Sequence, residues 1–178
     1  MASYLQPFHG LPILGCTQCQ HGVLINQLDS HLSREPHKIP KPDRNKIVNE
    51  VSIQWSDQLL CDEWQCKDFE LPPANIPTIP HLERHRDGYR CTFSIANGSV
   101  CQRIFSGQKD IQDQCRNIHQ WKNPRPKHRL TKAENGRIKQ EERPWKKVRY
   151  YQRIFNQGPM SQYFEVDADI EPEIPATS

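Results

Sequence analysis

Two cysteines and two histidines near the amino terminus have the types and spacing of metal ligands. Two residues separate Cys16 from Cys19, eleven separate Cys19 from His31, and five separate His31 from His37. Zinc binds thiolate sulfur and imidazole nitrogen in a tetrahedron, and a cysteine pair followed by a histidine pair at such intervals is its usual Cys2His2 pattern. The middle interval is one residue short of that pattern. The sequence therefore predicts a Zn²⁺ site with these four residues as ligands.

Apolar residues beside these ligands predict the elements that position them. Val23 follows the cysteine pair at the spacing of a finger's core residue, and Leu28 precedes the first histidine by one helical turn. Asn26 is a candidate N-cap for the helix that carries this histidine, and Pro36 is expected to end the helix before the last ligand. The alternative is that both cysteines are small buried apolar residues and both histidines lie on the surface.

A second group of candidate ligands follows at Cys91, Cys101, Cys115 and His119. Nine residues between the first two cysteines make a long zinc knuckle, but they contain the turn sequence "NGS". On a helix, Cys115 and His119 would lie one turn apart on the same face, which predicts a Cys3His site. Gln114 occupies the position where a finger-like register places a histidine. The alternative is a degenerate finger in which Cys115 only packs.

A third combination, Cys61 and Cys66 with His81 and His85, is a weaker candidate. The histidine pair is spaced for one helical face, but the proline-rich stretch "LPPANIPTIP" separates it from the cysteine pair. Two free thiols are the alternative to a metal site here.

Composition favours small stapled modules over one large core. Only 35% of the 178 residues are hydrophobic and 15 are proline, so each module has little apolar surface to bury. The seven cysteines are an odd number, and no apolar signal segment follows Met1, which predicts an intracellular, reducing environment. No run of 18 apolar residues occurs, so no membrane role is expected.

The predicted fold is small α+β, with zinc-stapled ββα-like finger modules. Asp43 is a candidate N-cap for an amphipathic helix whose apolar stripe includes Val51 and Trp55. Aromatic and β-branched runs on either side of "NQGPMS" predict a hairpin. We predict seven segments: a C2H2-like finger at 8–40, an amphipathic helix and connector at 41–66, a Pro-rich linker at 67–80, a degenerate finger-like module at 81–121, a basic linker at 122–144, an aromatic β-hairpin at 145–168 and an acidic tail at 169–178.

Several of these stretches resemble one protein family. "LGCTQCQHGV", "GYRC", "CQRIF", "IQDQCRNIHQWKNPR" and "RPWKKVRYYQRIFNQGPMSQYFEV" look like the orsellinic acid biosynthesis cluster protein D family of filamentous fungi, often described as C2H2-type domain-containing. The similarity covers residues from about 8 to 168. Members are often longer, which raises the interpretation that this chain is an amino-terminal fragment or a shortened paralogue.

The resemblance implies metal ligands but no activity. It matches Cys16, Cys19, His31 and His37 to the leading finger, and Cys91, Cys101 and His119 to part of a second. The chain departs from the family at Gln114, where a histidine is usual, and in the stretched cysteine pair after "GYRC".

Charge is concentrated in one stretch and suggests a polyanionic partner. From 121 to 155 there are twelve Lys or Arg against three Glu, although the whole chain carries only +3. We predict DNA or RNA binding, in a nuclear protein, through a basic arm that follows the second ligand group: Lys122, Arg125, Lys127, Arg129 and Lys132. The alternative for this arm is a solvated linker.

The sequence also bears on two functions other than nucleic-acid binding. A protein-interaction or structural zinc module is favoured by the predicted finger helix, "NQLDSHLSRE", which carries a single base and is a poor surface for reading a DNA groove. An enzyme is disfavoured, because the chain lacks GxSxG, P-loop and HExxH motifs, and no small-molecule substrate is evident.

Overall fold

The computed structural model describes residues 3–8, 11–55, 57–59, 62, 69–95, 98–122, 143–158 and 161–170. The fold is small α+β, with three α-helices and two sheets among these residues. The chain forms two compact units. Unit 1 consists of Met1–Arg84 and Gln152–Ser178, and unit 2 consists of His85–Tyr151.

Unit 1 begins with a small antiparallel sheet followed by a short helix. Its elements are β1 (Leu5–Pro7), β2 (Leu14–Cys16), β3 (His21–Val23), a 3-10 helix (Ile25–Gln27) and α1 (Leu28–Ser33). The central strand β2 pairs with both β1 and β3. The β2, β3 and α1 elements give the ββα order that the ligand spacing predicts.

A long helix, α2 (Lys41–Trp55), forms at the position predicted for the amphipathic helix. It begins two residues before Asp43, which lies in the first turn and not at the N-cap. Pro42 is tolerated in this first turn, because the backbone N–H that proline lacks would have no partner within the helix there. Val51 and Trp55 are buried, whereas Ile53 on the opposite side is 82% exposed.

The core of unit 1 joins α2 to the ββα element. Leu14, Leu28, Leu32 and Val51 are all completely buried in it. Its remaining buried members are Leu5, Cys16, Val23, Ile25, Trp55 and Leu59. The composition predicted that each module would have little apolar surface to bury, and the short finger shares its core with α2, which contributes Val51 and Trp55.

The proline-rich segment is anchored to unit 1 and is more than a linker. Its short strand β4 (Ile76–Pro77) pairs in parallel with β8 (Tyr163–Asp167). The buried amide of Gln152 accepts a hydrogen bond from the Ile79 N–H at 2.8 Å. Its Nε2 donates to the carbonyl oxygens of Ile79 and Leu82 at 3.1 and 3.0 Å. These hydrogen bonds replace the ones to water that the amide loses when it is buried.

Unit 2 places one helix beside a short antiparallel sheet. Its elements are β5 (His85–Cys91), β6 (Ile104–Phe105), α3 (Gln108–Asn117) and β7 (Trp145–Arg153), whose last two residues belong to unit 1. Strand β5 pairs with both β6 and β7. Strands thus occur at both halves of the predicted hairpin, and the strand order β4-β8-β7-β5-β6 places β8 next to β7. Strand β7 also pairs with β5, and β8 also pairs with β4.

Among the described residues, none of the helices has both the length and the apolar character needed to cross a membrane. Most of the predicted basic linker and acidic tail lies outside the described residues.

Candidate metal centres

The first four predicted ligands come together in unit 1. Cys16 ends β2, Cys19 lies in the turn before β3, His31 lies on α1, and His37 follows that helix. Their sulfur and ring nitrogen atoms all lie within 4.8 Å of one another. This arrangement is positioned to bind a metal ion.

The distances between ligand atoms are close to the edges of a zinc tetrahedron. Bond lengths of about 2.3 Å to sulfur and about 2.0 Å to nitrogen give edges of roughly 3.5 Å between sulfur and nitrogen and roughly 3.3 Å between two nitrogens. His37 Nε2 lies 3.4 Å from Cys16 Sγ, 3.3 Å from Cys19 Sγ and 3.1 Å from His31 Nε2. These spacings leave one ion-sized position between the four side chains.

Backbone hydrogen bonds shape the cysteine turn. The Cys19 N–H donates to Cys16 Sγ at 3.4 Å, and the Gln20 N–H donates to the Cys16 carbonyl at 2.7 Å. Gln20 has a left-handed φ of 56°, which lets the chain reverse into β3. The turn therefore presents both sulfurs to the same point.

The histidine side of the site differs in detail from the predicted capping. Asn26 lies inside the 3-10 helix, and the N-cap of α1 is Gln27, whose side chain makes no capping hydrogen bond. The helix ends at Ser33, before the Pro36 predicted to stop it. The His37 N–H then donates to the Arg34 carbonyl at 2.9 Å, which turns the last ligand back toward the others.

Burial sets the protonation of these side chains. It lowers the pKa of His31 from 6.5 to about 4, with the neighbouring His37 as the next cause, and it also lowers the pKa of His37. Neutral imidazole is the form that binds a metal. Burial, reinforced by Cys16, raises the pKa of Cys19 to about 12. Metal binding to this thiol must therefore displace a proton.

Two aromatic residues that the sequence did not single out support the site. The Tyr4 ring stacks on His37 with 4.8 Å between centroids. His21 Nδ1 donates to the Cys19 carbonyl at 3.2 Å, and its ring meets His31 edge-on. His21 lies directly after the cysteine turn, at the start of β3. This position in the sequence was the signal that could have predicted its contact with the site.

In unit 2, Cys91, Cys101 and His119 form a second group within 4.8 Å. The predicted turn brings the first two together. The Gly98 N–H donates to the Ile95 carbonyl at 2.9 Å with a φ of +82° at the glycine, a conformation that costs glycine little. The Cys101 N–H then donates to the carbonyl of Phe93 at 2.9 Å. The long interval is thus closed by a small hairpin.

The His119 side chain has the features of a metal ligand whose ring nitrogen has no partner yet. Its Nε2 is buried and has no hydrogen-bond partner among the described residues. Its ring stacks on Phe93 at 4.5 Å with an interplanar angle of 9°, which fixes its orientation. Buried polar nitrogens are nearly always satisfied, so this atom fits a metal ligand.

Cys115 lies at the edge of this second group. Its Sγ is 3.9 Å from Cys91 Sγ, close to the roughly 3.8 Å expected between two zinc-bound sulfurs, but it is not within 4.8 Å of all three group members. Ile111 and Cys115 are completely buried on α3, whereas Gln114 is half-buried. Burial raises the pKa of Cys91 to about 12 and also raises that of Cys115.

The third combination does not have the predicted geometry. His81 lies in a turn with a left-handed φ of 66°, and His85 begins β5, so the two do not share a helical face. Cys61 and Cys66 lie outside the described residues.

Of the predicted nucleic-acid contacts, Lys122 is described and exposed. The other four, Arg125, Lys127, Arg129 and Lys132, lie outside the described residues.

Comparison with known proteins identifies one family. The family model of orsellinic acid/F9775 biosynthesis cluster protein D matches residues 6–120, which include both Cys/His groups. The C-terminal strands that contributed to the resemblance lie beyond the matched range. No curated protein and no solved structure matches the chain.

Proposed function

The chain belongs to the orsellinic acid/F9775 biosynthesis cluster protein D family, and we propose that it is a C2H2-type zinc module that binds nucleic acid through unit 2. The observation that carries the zinc assignment is the convergence of two sulfurs and two imidazole nitrogens within 4.8 Å in unit 1. A tetrahedral set of two thiolates and two imidazoles suits Zn²⁺ better than oxygen-preferring cations such as Mg²⁺ or Ca²⁺.

The proposed role of zinc is structural. The first group has four protein ligands, and a catalytic zinc keeps one coordination position for water. In unit 2 the proposed ligands are Cys91, Cys101 and His119, with Cys115 completing a Cys3His set after a change in its side-chain position. The protein therefore acts by binding rather than by catalysis.

The division of charge between the units supports a polyanionic partner for unit 2. Unit 2 contains sixteen Lys and Arg against six Asp and Glu, a formal net charge of +10. Unit 1 contains eight against fifteen, a formal net charge of −7, and the two values add to the +3 of the whole chain. A segregated positive charge of this size attracts phosphates and releases their counterions.

The basic arm from Lys122 to Lys132 follows His119 directly, so a metal-fixed His119 would hold its start in place. Phosphate contacts by such an arm give affinity without sequence preference. We therefore propose that the protein acts inside the cell, in the nucleus.

Fluorescence anisotropy with labelled oligonucleotides tests the proposed function. We expect binding at low salt that weakens steeply as salt rises, because each phosphate contact releases a counterion. Variants with the five arm cations replaced by Gln should bind more weakly and with a shallower salt dependence. Absence of binding to any oligonucleotide at low salt would remove nucleic acid from the proposal and leave the zinc assignment intact.

A protein-interaction module is the second candidate. It is favoured by α1, which carries Asp29 and no Lys or Arg, so the finger helix has no cation to aim at a DNA groove. The anisotropy experiment separates the two candidates, since an interaction module does not bind oligonucleotides.

A further inference from the structure

A cleft lies beside the first metal centre of unit 1. It has a volume of about 430 Å³, and two of the candidate ligands, Cys19 and His31, are among the residues that line it. Phe155 and Gly22 line it as well. The Gly22 N–H donates to the carbonyl of Ile154 at 2.6 Å, which holds the C-terminal part of unit 1 against β3. The cleft is therefore built by both parts of the chain that form this unit.

The candidate cysteine ligands of the two centres differ in their exposure. In unit 1, Cys16 is completely buried, whereas Cys19 is half-buried and lines the cleft. In unit 2, the three candidate cysteines are at most 9% exposed. A small solute can therefore reach Cys19 more easily than it can reach the described cysteines of unit 2.

Cys16 lies close enough to Cys19 to form a disulfide with it. Two residues separate them, which is the spacing of thiol–disulfide redox motifs. Their sulfurs lie within 4.8 Å, and the Cys19 N–H donates to Cys16 Sγ at 3.4 Å. Unit 2 also has a close pair, since the sulfurs of Cys91 and Cys115 are 3.9 Å apart. Exposure, and not the distance between sulfurs, therefore distinguishes the first pair.

We propose that the cysteine pair of the first metal centre is a site of oxidation by small hydroperoxides, which enter through the cleft, convert Cys16 and Cys19 to a disulfide and thereby release the zinc of unit 1. This inference rests on the zinc assignment within the proposed function and does not depend on nucleic-acid binding. Bound zinc keeps a cysteine ligand deprotonated, and the thiolate is the form that hydroperoxides oxidise. The two histidines that remain are too few ligands for a structural zinc site.

The oxidation takes place in two balanced steps. The Cys19 thiolate attacks one oxygen of hydrogen peroxide, so that an S–O bond forms, the O–O bond breaks and hydroxide leaves. The Cys16 thiolate then attacks the Cys19 sulfur, so that the S–S bond forms, the S–O bond breaks and a second hydroxide leaves. The two thiolates together lose two electrons, and the peroxide gains them.

Graded oxidation of the zinc-loaded protein tests the site. Hydrogen peroxide is added in steps, released zinc is measured with a chromophoric chelator, and the cysteines are mapped by peptide mass spectrometry. We expect a disulfide between Cys16 and Cys19 to form, together with the release of one zinc ion, before Cys91, Cys101 or Cys115 is oxidised. Dithiothreitol followed by zinc should restore the metal, because a disulfide is reversible and a sulfinic acid is not.

Two tryptophan variants test the role of the cleft. Ser30 is exposed on α1 and lines the cleft, so Ser30→Trp should narrow the approach to Cys19. Asn26→Trp is the matched control, because Asn26 is also exposed and lies in the adjacent 3-10 helix but does not line the cleft. Ser30→Trp should slow disulfide formation by about fivefold or more, since thiolate oxidation follows exposure, and the control should react at the wild-type rate. Zinc content and circular dichroism before oxidation should be equal in all three proteins.

The possible outcomes separate the inference from the proposed function. If the protein holds zinc but the cysteines of unit 2 are oxidised first, the inference is wrong and the zinc assignment stands. Equal rates in the two tryptophan variants also overturn the inference, because access through the cleft would then not control the reaction. A protein that binds no zinc contradicts both the inference and the zinc assignment.

Discussion

The two Cys/His groups differ in what surrounds their ligands. Among the described residues of unit 1, the core cluster has ten buried members, and Cys16 is the single metal-ligand candidate in it. In unit 2 the cluster has five, and Cys91, Cys101 and Cys115 are three of those five. The first site lies beside a hydrophobic core, whereas the cysteines of the second group make up most of the cluster around it. Ile104, Val148 and Tyr151 are also buried in unit 2 but do not belong to this cluster.

This difference predicts how strongly the folding of each unit depends on a bound metal ion. Leu28, Leu32 and Val51 bury apolar surface whether or not an ion is bound. In unit 2, Ile111 and Trp145 are the only buried non-cysteine members of the described cluster. Without an ion, the three neighbouring cysteines of unit 2 lose the metal bonds that would hold them together. Unit 2 should therefore be the more metal-dependent of the two.

The largest expected effect is that of metal removal. Structural zinc contributes on the order of 10 kcal/mol to folding in small modules. A chelator should abolish hydrogen-exchange protection in α3 and β5, while α2 retains measurable protection from its packing against α1. Hydrogen-exchange mass spectrometry checks this by peptide. Simultaneous and equal loss of protection in α2 and α3 would show that the comparison between the units is wrong.

The next largest effect concerns the fourth ligand of the second site. Cys115→Ser should weaken metal binding by unit 2 by more than the roughly 10–100-fold that loss of an outer-shell partner costs, because it removes a sulfur from the coordination sphere. Gln114→Ala, at the neighbouring position, is the matched control and should leave metal affinity unchanged. Competition with a chromophoric chelator measures both. Equal affinities in the two variants would mean that Cys115 only packs.

A substitution in α2 sharpens the account of unit 1. Val51→Ala should lower the free energy of unfolding by about 2 kcal/mol, since it removes two buried methyl groups and leaves a cavity. Ile53→Ala on the same helix is the control, because Ile53 is 82% exposed, and its effect should stay within about 0.5 kcal/mol. Urea unfolding of the zinc-loaded protein measures both. Equal effects would show that α2 does not share the core.

The smallest expected effect is a pH dependence of the metal-free protein. The folded-state pKa of His31 is about 4, below its ordinary 6.5, so as pH falls the unfolded chain binds this proton first. Stability should therefore fall between pH 6.5 and 4. The ring is partly exposed, so screening keeps the effect below that of Val51→Ala.

His31→Gln provides the control for this pH dependence. Its urea midpoint should fall less between pH 6.5 and 4 than that of the wild type, both measured with chelator present. A residual fall is expected, because burial also lowers the pKa of His21 and His37. Parallel curves for the two proteins would contradict the assignment to His31.

Local spacing predicted much of the first site, since all four ligands lie within a short stretch whose strands and helix follow from nearby residues. The second group was predicted less completely, because whether α3 directs Cys115 or Gln114 inward depends on its rotation about Ile111. A shift of one residue changes the helix face by about 100°. Spacing alone does not fix that rotation.

The sequence did not predict the contacts between segments that lie far apart along the chain. The Gln152 amide bonds to Ile79, 73 residues away, and this contact anchors a segment that composition described as a linker. Nor did the sequence show that α2 would complete the core of the first site, because an apolar stripe predicts burial without naming its partner. Both features depend on side chains that meet only once the chain has folded.

Native mass spectrometry with and without chelator tests the central claim most directly. The wild type should carry two zinc ions, Cys19→Ser should carry one that is held by unit 2, and Cys91→Ser should carry one that is held by unit 1. A wild-type protein that binds no zinc when purified with the metal present, or a Cys19→Ser variant that still binds two ions, would contradict the account.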